Sequence, residues 1–320
     1  MPHVLVVGKI HASGIRLLEE TPDLTFETVD GVTEESYAPL IHNADALVIR
    51  TQPMTAPTIA MAKRLKVVSR HGVGYDAVDG KALARRGIPL VVVGDVNSIS
   101  VAEHSLMMML AATKLAIRSD RAVRDHNWSW RNGLEAGELS GKNLLIVGYG
   151  RIGRRVGALA SAFEMTVRAF DPYLAAKGWP EGEVAPAETL HDGLAWADVV
   201  SVNVPRPDRP LIGRKELAVM KPAAVLVNTA RGGIVDEDAL IAALQEGKLR
   251  AAGLDVFDDE PPAPENPLLK MDNVVLSPHI GGLTREGGER LALHSVRNVI
   301  DFFAGRLDPE LVVNGVLQNA

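Results

Sequence analysis

"LLIVGYGRIGRRVGALASAF", residues 144–163, decides how this chain is read. Four apolar residues run into Gly-Tyr-Gly-Arg-Ile-Gly, and an amphipathic stretch follows. A buried strand that enters a glycine-rich turn and opens a helix is built to hold phosphate. Gly148 permits the tight turn, Gly150 lets backbone approach a pyrophosphate, and Gly153 lets helix and strand pack closely. The unmet amides and positive dipole end of the helix complete the anion site. The next strand, "TVRAFD", ends in Asp171, about twenty residues past Gly148. A carboxylate there accepts hydrogen bonds from both ribose hydroxyls of NAD and repels the extra phosphate of NADP. Arg168, inside that strand, does not reverse the preference. The turn is expected to hold the pyrophosphate of NAD.

Outward from this turn, short β-branched runs alternate with helical patterns. Candidate strands cover 3–8, 45–50, 65–70, 89–93, 143–148, 166–171, 197–203, 223–228, 251–255 and 273–277. Most are continuously apolar, as parallel strands buried on both faces must be. Strand and helix in alternation imply an α/β fold. Ten strands suit two sheets better than one, with a break at the turn-like 95–100. A long helix is expected over about 101–126, with Ser100 as N-cap and Glu103 completing a capping box. His104, in its first turn, is expected to be a packing or surface residue. A second long helix over about 284–304 ends at Gly305. The closing "LVVNGVL" (311–317) has strand character, and "DDEPPAPENP" (258–267) is a stiff loop.

The 320 residues suffice for two domains with cores of their own. No apolar run reaches the roughly 18 residues a membrane span needs. The opening "MPHVLVVGKI" looks like a first strand rather than a signal peptide, so a cytoplasmic protein is expected. The chain has no cysteine, which excludes disulfides, zinc-thiolate sites and thiol nucleophiles. A net charge of −6 without a basic block argues against nucleic acid as partner.

In open α/β sheets ligands sit at the carboxyl ends of strands. Three such ends carry chemistry: "NTARGG" presents Arg231, "VFDDEPP" presents Glu260, and "SPHIGG" presents His279. An arginine can fork onto a carboxylate and polarise a neighbouring carbonyl. A histidine can protonate a developing alkoxide, and a glutamate beside it favours the imidazolium. The three together suit hydride transfer to a 2-oxo acid.

The sequence resembles the D-isomer-specific 2-hydroxyacid dehydrogenases over nearly its whole length. The motifs that carry the resemblance are "RHGVGYDAVD" (70–79), "NSISVAEH" (97–104), "VGYGRIG" (147–153), "FDP" (170–172), "VNTARGGIVDEDAL" (227–240), "GLDVFDDEP" (253–261) and "SPHIGG" (277–282). It implies two doubly wound parallel-sheet domains. Residues 1–98 with 285–320 would form a flavodoxin-like substrate domain, and 99–284 a Rossmann domain for NAD. It implies catalytic roles for Arg231, Glu260 and His279, and a place for Asp255 near the nicotinamide carboxamide. Around the cofactor it adds Tyr149, Arg151, Ile152, Pro172, Val204, Pro205, Thr229, Ala230, Gly281 and Gly282. Backbone around Val73 and Gly74 would hold the substrate carboxylate. The long helix from 101 would join a homodimer interface. With the chain ending at 320, the resemblance implies no C-terminal regulatory domain.

One loop departs from the family. Where relatives carry Pro-Leu-Thr-x-x-Thr, this chain has "NVPRPDRPLIG" (203–213): Pro205 is kept, and Arg206, Pro207 and Asp208 are new. The change alters either cofactor contacts or the charge of the pocket. Arg50 and Arg70, at strand ends of the first domain, look like the arginines that face substrate phosphate in the phosphoglycerate dehydrogenase subgroup. Hydroxypyruvate, glyoxylate and sulfonated acids remain open as substrates. Two other readings share the fold. One is an NAD(H)-sensing corepressor. The other is a formate dehydrogenase, against which Glu260 argues, because those enzymes pair the histidine with glutamine.

Overall fold

The β-branched runs become parallel strands, because only burial on both faces satisfies a segment that is apolar on both. The computed structural model describes residues 1–182 and 184–316. It divides into two units: Met1–Asn97 with the segment from Leu283 onward, and Ser98–Gly282.

The first unit holds five parallel strands: β1 (His3–Val7), β2 (Thr25–Val29), β3 (Ala46–Ile49), β4 (Val67–Arg70) and β5 (Leu90–Val91). Their order is β2-β1-β3-β4-β5, the flavodoxin-like arrangement. Val4 to Val7 and Ala46 to Ile49 are buried throughout. The helix Arg285–Phe303 returns to this unit and buries Leu291, Ala292, Val296 and Val299. Thr284 caps its start by accepting the Gly287 amide, and Gly305 takes the left-handed conformation just past its end (φ +68). Ser69 Oγ donates to the Ser295 carbonyl at 2.8 Å, which fixes the helix against β4.

The second unit holds β6 (Asn143–Val147), β7 (Thr166–Phe170), β8 (Ala185–Pro186), β9 (Val199–Val202), β10 (Val225–Asn228), β11 (Ala251–Leu254) and β12 (Val274–Leu276). All are parallel, in the order β12-β11-β10-β9-β6-β7-β8. Counted from β6, this is the Rossmann order 3-2-1-4-5-6 with one strand added at the far edge. The helix Ser98–Thr113 covers one face with Met108, Met109 and Ala112.

Several elements differ from the sequence reading. β2 and β8 were not expected. β2 is an edge strand with Thr25, Glu27 and Thr28 exposed, and β8 is a two-residue pairing beside β7. The helix expected over 101–126 is two helices, Ser98–Thr113 and Ala116–Arg124, broken at Leu115 in a left-handed conformation (φ +52). Leu115 is the last residue to bury; the second helix buries none and leaves the sheet. Because the first helix begins at Ser98, Ser100 lies inside it, buried, and is no N-cap. At 311–316 the chain makes a single antiparallel bridge, Val91 to Val312, instead of a strand, and Leu317 lies outside the described residues.

The glycine turn works by contact. A Cβ on Gly153 would stand 2.2 Å from the Gly148 carbonyl oxygen, which is backbone and cannot swing away. Gly153→Ala is therefore expected to cost about 1–3 kcal/mol. Gly288→Ala, in the helix Arg285–Phe303 with nothing within 4 Å of the new methyl, is expected to gain up to about 1 kcal/mol. Thermal denaturation checks the pair; a Gly153→Ala midpoint at or above wild type would contradict the contact.

Candidate active site

The turns after β10, β11 and β12 are knitted together by backbone. Arg231 follows β10, and its carbonyl accepts Asn228 Nδ2 at 2.8 Å. A Cβ on Gly232 would stand 1.7 Å from the Phe257 carbonyl, so the turn carrying Arg231 lies directly on the segment after β11. Gly233 donates its amide to Asp258 Oδ1 at 2.6 Å. The segment then presents Glu260. Beyond β12, the His279 amide donates to the Asp255 carbonyl at 2.8 Å, and His279 is left-handed (φ +52).

His279 and Glu260 meet here, with Arg231 near enough for its charge to act on Glu260. His279 Nδ1 lies 2.7 Å from Glu260 Oε2, and the Phe257 amide donates to Glu260 Oε1 at 3.2 Å. Burial works against the Glu260 carboxylate. The hydrogen bond and charge of His279, the Phe257 amide and the charge of Arg231 outweigh it and hold the carboxyl below its ordinary range. An ionised carboxylate only accepts, so Nδ1 carries a proton and Nε2 is left for a substrate. His279 remains half exposed.

Asp255 has a different place. It is 1% exposed, and its carboxylate accepts the Ile280 amide at 2.9 Å, the Gly281 amide at 2.8 Å and the Ser277 hydroxyl. His104 Nε2 bonds Ser277 Oγ at 2.8 Å and lies 3.4 Å from Asp255 Oδ1. Burial raises the Asp255 carboxyl, but these hydrogen bonds overcome it and keep the group ionised. Asp255 thus shapes the His279 turn from within. His104 and Ser277 belong to the same network; nothing in a lone histidine on an apolar helix signals it. Gly281 is buried, its amide already taken; Gly282 is half-buried. Thr229 is buried too, its hydroxyl 2.7 Å from Ser105 Oγ, while Ala230 beside it is half-buried.

The phosphate turn fits a dinucleotide. The helix Arg151–Ala162 has no side-chain cap at Gly150, unlike those starting after Asp79, Asp171, Thr189, Asp236 and Thr284. Among the described residues no atom lies within 4 Å of where a Cβ on Gly150 would point, so its backbone can be approached closely from that side. Arg151 is exposed beside them, and Ile152 packs inward. Tyr149 is buried, stacked on Trp179, with Arg154 over its ring. Asp171 accepts the Tyr149 amide on Oδ2 (2.9 Å), and the Tyr173 and Leu174 amides on Oδ1, capping the short helix that Pro172 opens. Arg168 lies over Trp196, 4.5 Å from the ring centroid. Val204 covers Gly148, and Pro205 is exposed.

In the first unit, Arg50 and Arg70 leave adjacent strand ends, since β4 pairs Arg70 with Ile49 of β3. Arg70 donates to the His71 carbonyl at 2.9 Å, and Arg50 reaches the Lys9 carbonyl at 3.4 Å. Val73 is exposed and Gly74 half-buried in the loop that follows. Between arginines and loop sits His71, which the sequence reading did not single out. It is 5% exposed, and among the described residues neither ring nitrogen has a hydrogen-bond partner. Burial, then the charges of Arg70 and Arg50, push it down to about 3.

Comparison with known proteins gives consistent results. Residues 106–281 match the model of the D-isomer specific 2-hydroxyacid dehydrogenase, NAD binding domain. The chain is 38% identical over 317 residues to D-3-phosphoglycerate dehydrogenase of Methanocaldococcus jannaschii, covering 98% of itself and 60% of that relative. It is 35% identical to glyoxylate reductase of Korarchaeum cryptofilum, covering 99% of itself and 97% of that protein. Among solved structures, D-lactate dehydrogenase from Aquifex aeolicus complexed with NAD and lactic acid is 29% identical with a TM-score of 0.86, covering 98% of this chain and 99% of that one. The chain thus spans about 60% of the length of the phosphoglycerate dehydrogenases it matches.

His71 gives a test independent of catalysis. The folded chain keeps the ring neutral where the unfolded chain, with an ordinary value of 6.5, protonates it. Unfolding therefore takes up a proton, and stability falls as pH drops from about 6.5 toward 3, by about 2 kcal/mol at pH 5. His71→Leu is expected to raise the thermal midpoint more at pH 5 than at pH 8. Equal shifts at both would contradict the assignment.

Proposed function

This chain belongs to the D-isomer-specific 2-hydroxyacid dehydrogenases, and we propose that it transfers a hydride between NAD(H) and C2 of a small 2-hydroxy or 2-oxo acid. The His279–Glu260 pair beside Arg231 carries the reading. Bound NADH supplies the hydride. Arg231 binds the substrate carboxylate and polarises the carbonyl next to it. His279 holds a proton on Nε2 and gives it to the oxygen on C2 in reduction; in oxidation it takes that proton back. Glu260 holds Nδ1, setting the tautomer and balancing the imidazolium charge. The amides after Gly150, which no side chain caps, bind the diphosphate, and Asp171 serves the ribose.

Arg50 and Arg70 favour an acid with a second anionic group. The exposed Val73 and the neighbouring Gly74 are the backbone we assign to the substrate carboxylate. On that reading 3-phosphohydroxypyruvate is the preferred oxidised substrate, ahead of hydroxypyruvate, glyoxylate and pyruvate.

His279→Ala is expected to lower turnover by roughly 10²–10⁴ while leaving NADH binding intact. A loss under tenfold removes the assigned role. NADH oxidation with the four acids in parallel ranks the substrates, and a preference for glyoxylate or pyruvate would detach Arg50 and Arg70 from the substrate. NADPH working better than NADH would contradict the role of Asp171.

The protein is further proposed to act as a homodimer. Ile99, Met107, Ile117, Val123, Trp128 and Leu134 stand exposed within one short stretch, Trp128 at 64% and Leu134 at 88%. Apolar exposure on this scale marks an interface. Sedimentation velocity is expected to show twice 34.3 kDa, and Trp128→Ala with Leu134→Lys to shift it toward monomer. A monomeric wild type at micromolar concentration would contradict the dimer.

A further inference from the structure

The loop after β9 carries a cation that the proposed mechanism leaves unused. Three prolines, Pro205, Pro207 and Pro210, fix φ in a stretch of six residues. The loop begins on the phosphate turn: Val204 Cγ1 and the Asn203 carbonyl oxygen lie 2.7 and 2.8 Å from where a Cβ on Gly148 would stand. Two residues later the Arg206 guanidinium rests on the turn behind Arg231. Its Nε and one Nη lie 3.0 Å from where a Cβ on Gly233 would stand. A side chain at Gly233 would press on the guanidinium, which lies over that turn. Since β9 lies between β6 and β10, Arg206 stands between the turn that holds phosphate and the turn that carries Arg231.

Arg206 is exposed, and among the described residues it makes no hydrogen bond or ion pair. Asp208 in the same loop and Asp258, which holds the Gly233 amide, do not pair with it. Two of the arginines that open the helix after Gly150 are otherwise engaged: Arg154 lies over Tyr149, and Arg155 donates to Ser98 Oγ at 2.7 Å. A helix terminus offers a diphosphate about half a positive charge, against the two negative charges it carries. We propose that Arg206 is a second anchor for the cofactor diphosphate, gripping from the β9 side the phosphate nearer the nicotinamide. A guanidinium makes charge-assisted, bidentate hydrogen bonds to phosphate. The loop's contact with Gly148 ties it to the diphosphate rather than to substrate, whose carboxylate Arg231 already serves. The proposal rests on the NAD-binding reading above.

The test is a fluorescence titration of wild type, Arg206→Ala and Arg206→Lys with NADH, with ADP-ribose and AMP as competitors. Arg206→Ala is expected to weaken NADH and ADP-ribose about 10–100-fold. AMP, which lacks the nicotinamide-side phosphate, should change less than twofold. Arg206→Lys should restore part of the loss, and rising KCl should narrow the gap between wild type and Arg206→Ala. NADH binding within twofold of wild type in Arg206→Ala overturns the proposal. So does an equal loss for AMP, or unchanged NADH affinity with a raised KM for the acid. A wild type that fails to bind NADH overturns the cofactor reading as well, so the two failures are distinct.

Discussion

One buried carboxylate sets the position of His279 and, through it, of the groups proposed to react. The Asp255 carbonyl takes the His279 amide, and its two oxygens take the next two amides, Ile280 and Gly281. That grip holds His279 in a left-handed conformation, which costs an L-residue roughly 1–2 kcal/mol. A charge this deep survives only when its hydrogen bonds are complete. Ser277 and His104 supply the remaining donors, which is why a histidine on the covering helix matters to a turn far from it in sequence. With the turn so held, Glu260 meets Nδ1 and leaves Nε2 outward.

Rigidity in the rest of the site comes from missing side chains. Gly232 lies against the Phe257 carbonyl and Gly153 against the Gly148 carbonyl, at separations no Cβ could share. These contacts lock the turn of Arg231 to the segment of Glu260, and the phosphate helix to β6. Three consecutive parallel strands then deliver arginine, carboxylate and imidazole to one end of a sheet. Backbone defines the geometry, and the side chains need only adopt their ordinary rotamers.

Ten of the strands and the chemistry at their ends were legible because parallel strands announce themselves as continuous apolar runs, and turn glycines stand at fixed spacing. Thr25–Val29 escaped because this edge strand buries no residue fully and carries Glu27 and three hydroxyl or aromatic residues that also suit loops. The break at Leu115 escaped because no glycine or proline marks it; it occurs where the helix runs out of sheet to cover. Ser100 looked like a cap because capping chemistry is local, yet the helix began one turn earlier to bury Ser98 and Val101. The inward direction of Asp255 and the isolation of His71 depend on partners distant in the chain, and no spacing rule encodes those.

Cofactor selectivity is tied to stability in the same way. Asp171 caps one helix with Oδ1 and holds the Tyr149 amide of the glycine turn with Oδ2. An N-cap alone is worth about 1 kcal/mol, so the carboxylate would be retained for structure even if no ribose were bound. Its presence therefore argues less for NAD than its surroundings do. Oδ1 already accepts two amides and Oδ2 one, so Oδ2 keeps a lone pair for a ribose hydroxyl, and Arg168, the one cation of β7, is drawn onto the face of Trp196. A 2′-phosphate would meet a fixed negative charge that β7 does nothing to offset, and the charge could not be removed without loosening the turn proposed to hold the diphosphate.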